Sequence, residues 1–421
     1  MTIRMDQLVR AVAAALDIVE GELLGASTHH GKRIALLALA MGRSLGMDAP
    51  SLSALAVCAL LHDSALTEYI LAERKQHDPA MKLHCLAGQR NAEALLFNAD
   101  IAGFVLCHHE RADGLGPFGK REGEFPRGAA LIAIADMVDV ACHLQRVSPE
   151  RLAVIRQGIG REAGNQFTRE AAGAMLDILD EEMLLSLRDD RIIDTVQEGV
   201  PQWITDIEDQ RIFRIADLSA RIIDYKSVFT KDHSEGIANR AWLMGEYYGY
   251  TGSRRMELYL AAALHDIGKL ATPTAILEKP GRLTDEEFSV IKDHARQTYE
   301  LLRGITGFES ICNTASRHHE KLDGSGYPFG LKAGQLTFND RLLAGIDIYQ
   351  AVNEARPYHG KRSHKETMPI LYAMADEGAL DGTVVRDLDR VMAEFSDREI
   401  PPPEEARPEE ARGIAASERE A

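Results

Sequence analysis

Apolar residues recur along this chain at helical spacing almost from its first residue. From about Asp6 to Leu24 they fall on one face with few strand formers between them, which predicts a first helix. Ser27-Thr28-His29-His30 is a polar entry to a second helix, whose apolar stripe is Ile34, Leu37, Ala38, Met41 and Leu45. Gly46 and Pro50 punctuate, and Leu52–Leu61 reads as a third, almost wholly buried helix ending at His62-Asp63. Further on, the pattern predicts helices over Arg211–Tyr225 and over Glu286–Leu302, the latter with a stripe of Phe288, Ile291, Ala295, Tyr299 and Leu302. No convincing alternation of period two appears, so the fold class is all-α.

The polar positions inside this pattern repeat. His30 and His233 are 203 residues apart, as are His62-Asp63 and His265-Asp266. His84 and His294 are 210 apart, and so are His108-His109 and His318-His319. Asp113-Gly114-Leu115-Gly116 matches Asp323-Gly324-Ser325-Gly326, and Asp136 falls opposite Asp347 at an offset of 211. Seven positions of metal-ligand type in the same order, with two small changes of offset, identify a tandem duplication. The units expected are 1–187 and 210–400, each a helical bundle. They are joined by a charged linker, 188–209, that contains Gly199 and Pro201. The tail, 401–421, opens with three prolines and is dense in Glu and Arg, so it is expected to be a disordered acidic segment.

Composition narrows the chemistry. At 421 residues, 45% hydrophobic and 6% aromatic, the chain has apolar residue enough for two cores. A formal charge of −17 excludes a general polynucleotide binder but not a small anionic ligand held by local cations. The five cysteines are scattered without a CxxC pair and read as buried apolar residues in a reducing cytosol, not as a thiolate metal site. The N-terminus carries no signal-peptide pattern, and the most apolar windows, near Leu52–Leu61 and Ala129–Ala135, are too short to span a bilayer. A cytoplasmic protein without membrane insertion is the expectation.

Imidazole and carboxylate without thiolate suit Fe, Mn or Zn. In the second unit His233, His265, Asp266, His294, His318, His319 and Asp347 are the candidate ligands. Adjacent His265 and Asp266 can reach neighbouring ions, with the carboxylate bridging them. His294, His318 and Asp347 fall on apolar helix faces, where an unpartnered polar group would be costly. Any one of these histidines alone reads as a hydrogen-bonded core residue; together they call for metal.

His-Asp followed by Ile267-Gly268-Lys269, then His-His-Glu320 and Asp323-Gly324-Ser325-Gly326-Tyr327-Pro328, resembles the HD-GYP family of the HD phosphohydrolase superfamily. Lys226–Thr230, Lys279–Thr284 and Arg356-Pro357-Tyr358 add to the resemblance, which spans about Ile212 to Met374. It implies tandem HD-type bundles, a metal centre, and hydrolysis of cyclic dinucleotides, chiefly cyclic di-GMP, with a mixed cyclic GMP–AMP dinucleotide as the nearest alternative. A water or hydroxide bridging two divalent ions would attack the phosphorus in line, while the ions neutralise charge on the non-bridging oxygens. Asp266 and Lys269 are then the catalytic candidates. Lys269, Gly326, Tyr327 and Arg356 are the substrate-binding ones, with Tyr327 stacking on a base, bonding to phosphate, or serving as a core residue. Arg341 is the structural counterpart to Arg356.

Three positions depart from the family's pattern. Phe229 stands where relatives with a third metal carry Glu, which implies two ions; Gln350 replaces an Asp three residues after Asp347; and His359 replaces a basic residue.

The first unit keeps His30, His62, Asp63, His84, His108, His109 and Asp136 as a second candidate metal site. Yet Leu66 occupies the place of Lys269, Tyr-Pro is contracted to Pro117, and no Arg-Pro-Tyr follows. This degenerate unit either binds metal without turnover or is a duplicate kept for packing or dimerisation. Signalling proteins or a second copy are the expected partners. The competing readings are a non-catalytic metal- or nucleotide-sensing interaction protein and, against the Gly-Tyr-Pro loop, a mononucleotidase.

Overall fold

The computed structural model describes residues 2–24, 29–66, 80–95, 101–188, 191–192, 204–206, 209–224, 226, 233–354, 362–395 and 400–403. The chain divides into two compact units, Arg4–Ile204 and Met1–Ile3 with Thr205–Ala421. Both are helical. Among the described residues, the one departure from the all-α expectation is a pair of three-residue strands, β1 (Thr2–Arg4) and β2 (Ile204–Asp206), too short for any alternation to show in sequence.

In the N-terminal unit α1 is Met5–Leu24, α2 His30–Ser44, α3 Ala49–Leu60, α4 Ala80–Leu95 and α5 Arg127–Cys142, followed by α6 Pro149–Glu162, α7 Arg169–Ile178 and α8 Glu181–Ser186. Asp48 caps α3 by accepting from Ser51 N at 2.9 Å, and Pro50 sits in the first turn, where its missing N–H costs nothing. Helix α2 is buried along nearly its whole length against α3, α5 and α7, so its first residue, His30, enters the core.

In the C-terminal unit α9 is Asp209–Asp224, α10 His233–Tyr247, α11 Gly252–Leu264, α12 Thr274–Leu277, α13 Asp285–Leu302, α14 Glu309–Ser316, α15 Phe338–Asn353, α16 His364–Asp376 and α17 Gly382–Met392. A 3-10 turn, Ile267–Ala271, joins α11 to α12. Thr284 and Glu287 form a capping box that starts α13, so part of the Lys279–Thr284 segment serves as a helix N-terminus. Lys279 pairs with Glu287 at 2.6 Å. Thr337 and Asp340 cap α15 in the same way. Buried Asp340 also accepts from Thr314 Oγ1 at 3.0 Å, which ties the start of α15 to α14.

The helices predicted over 6–24, 52–61, 211–225 and 286–302 are present with ends displaced by up to three residues. One residue of the α13 stripe is misplaced: Phe288 is 45% exposed. The buried face is His294, Ala295, Thr298 and Leu302, because only the last three turns pack on the 3-10 turn and α14, while Phe288 lies under Lys292, 4.6 Å from its ring. Four cysteines are buried, Cys142 is half-buried, and all are free. Burial pushes the thiols up, Cys312 to about 11 and Cys85 to about 12, which agrees with an apolar role. No helix among the described residues is long and apolar enough to cross a membrane. Most of the expected acidic tail, 404–421, lies outside the described residues.

Candidate metal centres

In the C-terminal unit, α11 ends one residue before His265, so His265 and Asp266 leave the helix where the backbone turns into the 3-10 segment. The turn packs tightly on α13. A Cβ at Gly268 would lie 1.9 Å from His294 O, so only glycine permits the approach. Gly268 N donates to Thr298 Oγ1 at 3.0 Å, and Thr298 Oγ1 donates to His265 O at 2.9 Å. The approach brings Asp266 beneath His294.

Asp266 is the hub. Its Oδ1 lies 3.3 Å from His294 Nε2 and 3.8 Å from His318 Nε2. Its Oδ2 lies 3.2 Å from His265 Nε2, 3.8 Å from His233 Nε2 and 2.5 Å from Lys269 Nζ. Asp347, two turns along α15, is 3.8 Å from His233 Nε2 and 3.6 Å from His319 Nδ1. Among the described residues of this unit, three groups of donors have ligand atoms within 4.8 Å: His294, His318 and His319 on one side, His233, His265 and Asp347 on the other, and His265, Asp266 and His318 between them. All seven candidate residues of this unit are thus brought together around one carboxylate.

Their hydrogen bonds fix the tautomers. His265, His294 and His318 each donate Nδ1–H to the carbonyl three residues earlier, Ala262 O at 2.7 Å, Ile291 O at 2.6 Å and Ala315 O at 2.6 Å. A carbonyl only accepts, so the lone pair of each ring is presented at Nε2. His294 Nε2 and His318 Nε2 then face each other at 3.2 Å, lone pair to lone pair. His265 Nε2 and Asp266 Oδ1 are buried without a hydrogen-bond partner among the described residues. A cation satisfies every one of these atoms, and the nitrogen and oxygen donors suit Fe, Mn or Zn. Burial lowers His294 to about 4 and, with the neighbouring imidazoles, drives His318 and His319 well below the usual histidine range. Burial alone would raise Asp266, but His265 and Lys269 hold it well below the usual carboxylate range. Three neutral imidazoles beside an ionised carboxylate are in the protonation states that ligands need, whereas burial alone would lower His265 but the charge on Asp266 raises it.

Around this cluster the loop Asp323–Gly330 is held by buried Glu320, which accepts from Phe329 N at 2.7 Å and Leu331 N at 2.8 Å. A Cβ at Gly326 would lie 2.4 Å from Lys321 N, so the loop closes only with glycine there. Tyr327 is half-buried and lays its ring 4.7 Å from that of His319. Arg341 donates to Ala333 O at 2.5 Å and pairs with Asp381 at 3.2 Å, a structural role. Arg356, Phe229 and His359 lie outside the described residues.

The N-terminal unit rebuilds much of this. His84 Nε2 lies 3.2 Å from Asp63 Oδ1, and His62 Nε2 lies 3.6 Å from Asp63 Oδ2. His30 Nε2 is 3.2 Å from Asp136 Oδ1. Asp63, His84, His108 and His109 form one group of donors and His30, His62 and Asp63 another. Two rings repeat the tautomer lock, His62 to Ala59 O at 2.8 Å and His108 to Val105 O at 2.5 Å. Buried Glu110 holds the loop as Glu320 does, accepting from Phe118 N at 2.6 Å and Lys120 N at 2.8 Å. Leu66 is buried where Lys269 reaches its aspartate. The segment before His108 makes turns where the second unit has α14, because Gly103, at a φ of 81°, breaks the helix.

Models of the HD domain match residues 217–384 and 28–141. The chain is 30% identical over 395 residues to 3'3'-cGAMP-specific phosphodiesterase 1 of Vibrio cholerae, covering 91% of this chain and 90% of that relative. It belongs to the HD-GYP family of phosphodiesterases. The 3'3'-cGAMP-specific phosphodiesterase 3 of the same organism is 29% identical over 301 residues, 70% of this chain and 62% of that protein. A cyclic di-GMP phosphodiesterase response regulator of Xanthomonas campestris is 38% identical over 156 residues, 37% of this chain and 41% of its own length. The crystal structure of a cyclic GMP-AMP specific phosphodiesterase of Vibrio cholerae shares the fold, with a TM-score of 0.65 at 22% identity over 93% of this chain and 98% of that one.

Among HD-GYP features, sequence reasoning passed over the residues behind the ligands. His233 Nδ1–H donates to Glu354 Oε2 at 2.9 Å, so a carboxylate one turn beyond Gln350 orients the first histidine. In the first unit Asp139 does this for His30 at 2.7 Å while accepting from Arg33 Nε at 2.9 Å. Asp139 was legible as the second Asp of an Asp-x-x-Asp pair starting at Asp136; Glu354 had no such signal. Glu110 and Glu320 were legible as the shared third residue of His-His-Glu.

Proposed function

We propose that the C-terminal unit hydrolyses a phosphodiester bond of a cyclic dinucleotide at a centre of two divalent ions, held by His233, His265, Asp266, His294, His318, His319 and Asp347. The observation that carries this is Asp266, with donors of two groups on its two oxygens and Lys269 Nζ 2.5 Å from Oδ2. When bound, the ions supply an activated water and positive charge for the phosphate oxygens. Everything else falls to the chain. Asp266, ionised and buried, keeps the two donor groups in one frame. Lys269, tethered to Asp266 yet partly exposed, presents its ammonium to a non-bridging phosphate oxygen beside the centre. Tyr327, its ring 4.7 Å from that of His319 and tilted by 37° against it, offers a ring face to a base and a hydroxyl to phosphate.

A mixed cyclic GMP–AMP dinucleotide is the substrate we favour over cyclic di-GMP. The relative that matches through both units is named for the mixed dinucleotide, whereas the cyclic di-GMP relative from Xanthomonas matches 37% of the chain. The test is to load the purified chain with Fe or Mn under reducing conditions, offer both dinucleotides, and separate linear dinucleotide from mononucleotide. Faster turnover of the mixed substrate is expected. A metal-loaded chain that hydrolyses neither dinucleotide contradicts the proposal.

A further inference from the structure

One buried acid in the N-terminal unit has no use in the account so far. Glu20, near the end of α1, is 3% exposed, and its Oε2 is buried with no hydrogen-bond partner among the described residues. Three residues earlier on the same face of α1, Asp17 is fully engaged. Its Oδ1 accepts from Gly31 N at 3.1 Å and its Oδ2 from Lys32 Nζ at 2.5 Å. These contacts seat the end of α1 on the first turn of α2, beside His30, one helical turn from Glu20. Burial, then the charge on Asp63, push the Glu20 carboxyl well above its usual range, with His30 and Asp136 also among its charged neighbours.

The duplication sharpens the point. At the offset of 203 that pairs His30 with His233 and His62 with His265, Glu20 falls on Ile223 and Asp17 on Ala220. Ile223 is a core residue, 2% exposed. The copy therefore fills this place with an apolar side chain, at no electrostatic cost. An acid there is costly unless a cation compensates it, and Lys32, on the first turn of α2, is already committed to Asp17.

We propose that the N-terminal unit holds its own divalent transition-metal centre on His30, His62, Asp63, His84, His108, His109 and Asp136, and that Glu20 is a further carboxylate ligand of it, with no counterpart in the C-terminal unit. The His30, His62 and Asp63 group offers three donors, and Glu20, which stands outside it, would turn in as the fourth. With Leu66 in place of the lysine and an added anion, this centre is poorly suited to a phosphate and well suited to holding metal permanently.

The experiment uses the full chain with the second centre disabled by Asp266→Ala and His294→Ala. Metal content after gel filtration, Mn or Zn titration, and the metal-dependent rise in Tm are measured with Glu20 intact and as Glu20→Gln. The intact N-terminal unit is expected to retain metal, and Glu20→Gln to weaken its affinity by at least about tenfold, the scale at which even residues behind the ligands act. Glu20→Ile, which copies the second unit, should fold and lose the same affinity, which separates lost coordination from a misfolded variant. A folded disabled chain that retains no metal overturns the proposal, and so does metal affinity in the Glu20→Gln and Glu20→Ile chains equal to that of the chain with Glu20 intact.

Discussion

The two units of this chain solve the same packing problem with different residues at matched places. In the C-terminal unit, Gly268 yields space to Thr298, whose hydroxyl bridges Gly268 N and His265 O. In the N-terminal unit the matched residues are Ala65 and Gly88, so the small residue has moved to the other helix; a Cβ on Gly88 would lie 3.2 Å from His62 O. Both keep the turn close to the helix that bears the third histidine. Both keep the glutamate that folds the loop after His-His. What differs is the pair of residues proposed to face a substrate: Lys269 against Leu66, and Tyr327 against a one-residue deletion that turns the offset from 210 into 211. On the proposed function, the scaffold that gathers metal donors and the groups assigned to phosphate are separable parts, and only the first is present twice.

The comparison can be broken at those parts. Lys269→Leu, which copies the first unit, should lower kcat/KM by about 10²–10³, the worth of one charge-stabilising donor, with metal content unchanged. Loss of metal instead would make Lys269 a scaffold residue. Glu354→Gln should weaken metal affinity of the C-terminal unit by about 10- to 100-fold in a metal titration, because His233 loses its orienting carboxylate. Gly268→Ala should cost about 1–3 kcal/mol by overpacking, measured by chemical denaturation. Adding Thr298→Gly should recover none of it, because the new Cβ meets the backbone of His294 and Thr298 and not the threonine side chain. Recovery would mean that α13 moves away from the turn.

The smallest expected effect concerns pH. His294, His318 and His319 have lowered values in the folded chain, so the unfolded chain binds more protons once pH falls below about 6.5, the free imidazole value. Their neutral form thus stabilises the fold above that value. The Tm of the metal-free chain should fall as pH drops from 6.5 toward 4, partly offset by His265 and His30, which shift upward.

Much of this was legible in the sequence because it depends on periodicity and spacing. Repeated offsets exposed the duplication, and helical faces placed His294, His318 and Asp347 inward, where they are buried. The residues that escaped notice act through contacts between distant segments. Glu354 reaches His233 across 121 positions, and Glu20 is notable only for an oxygen, Oε2, buried without a hydrogen-bond partner among the described residues. Phe288 misled because a stripe reveals which face is apolar but not how far along the helix its neighbour extends.

The central claim, that hydrolysis belongs to the C-terminal unit alone, is tested most directly by Asp266→Ala and Asp63→Ala in the metal-loaded full chain. Turnover of cyclic GMP–AMP and cyclic di-GMP is measured for each variant beside the unmodified protein. Hydrolysis abolished by Asp266→Ala and retained by Asp63→Ala is the predicted result. Hydrolysis that survives Asp266→Ala, or that Asp63→Ala abolishes in a chain that remains folded, would contradict the account.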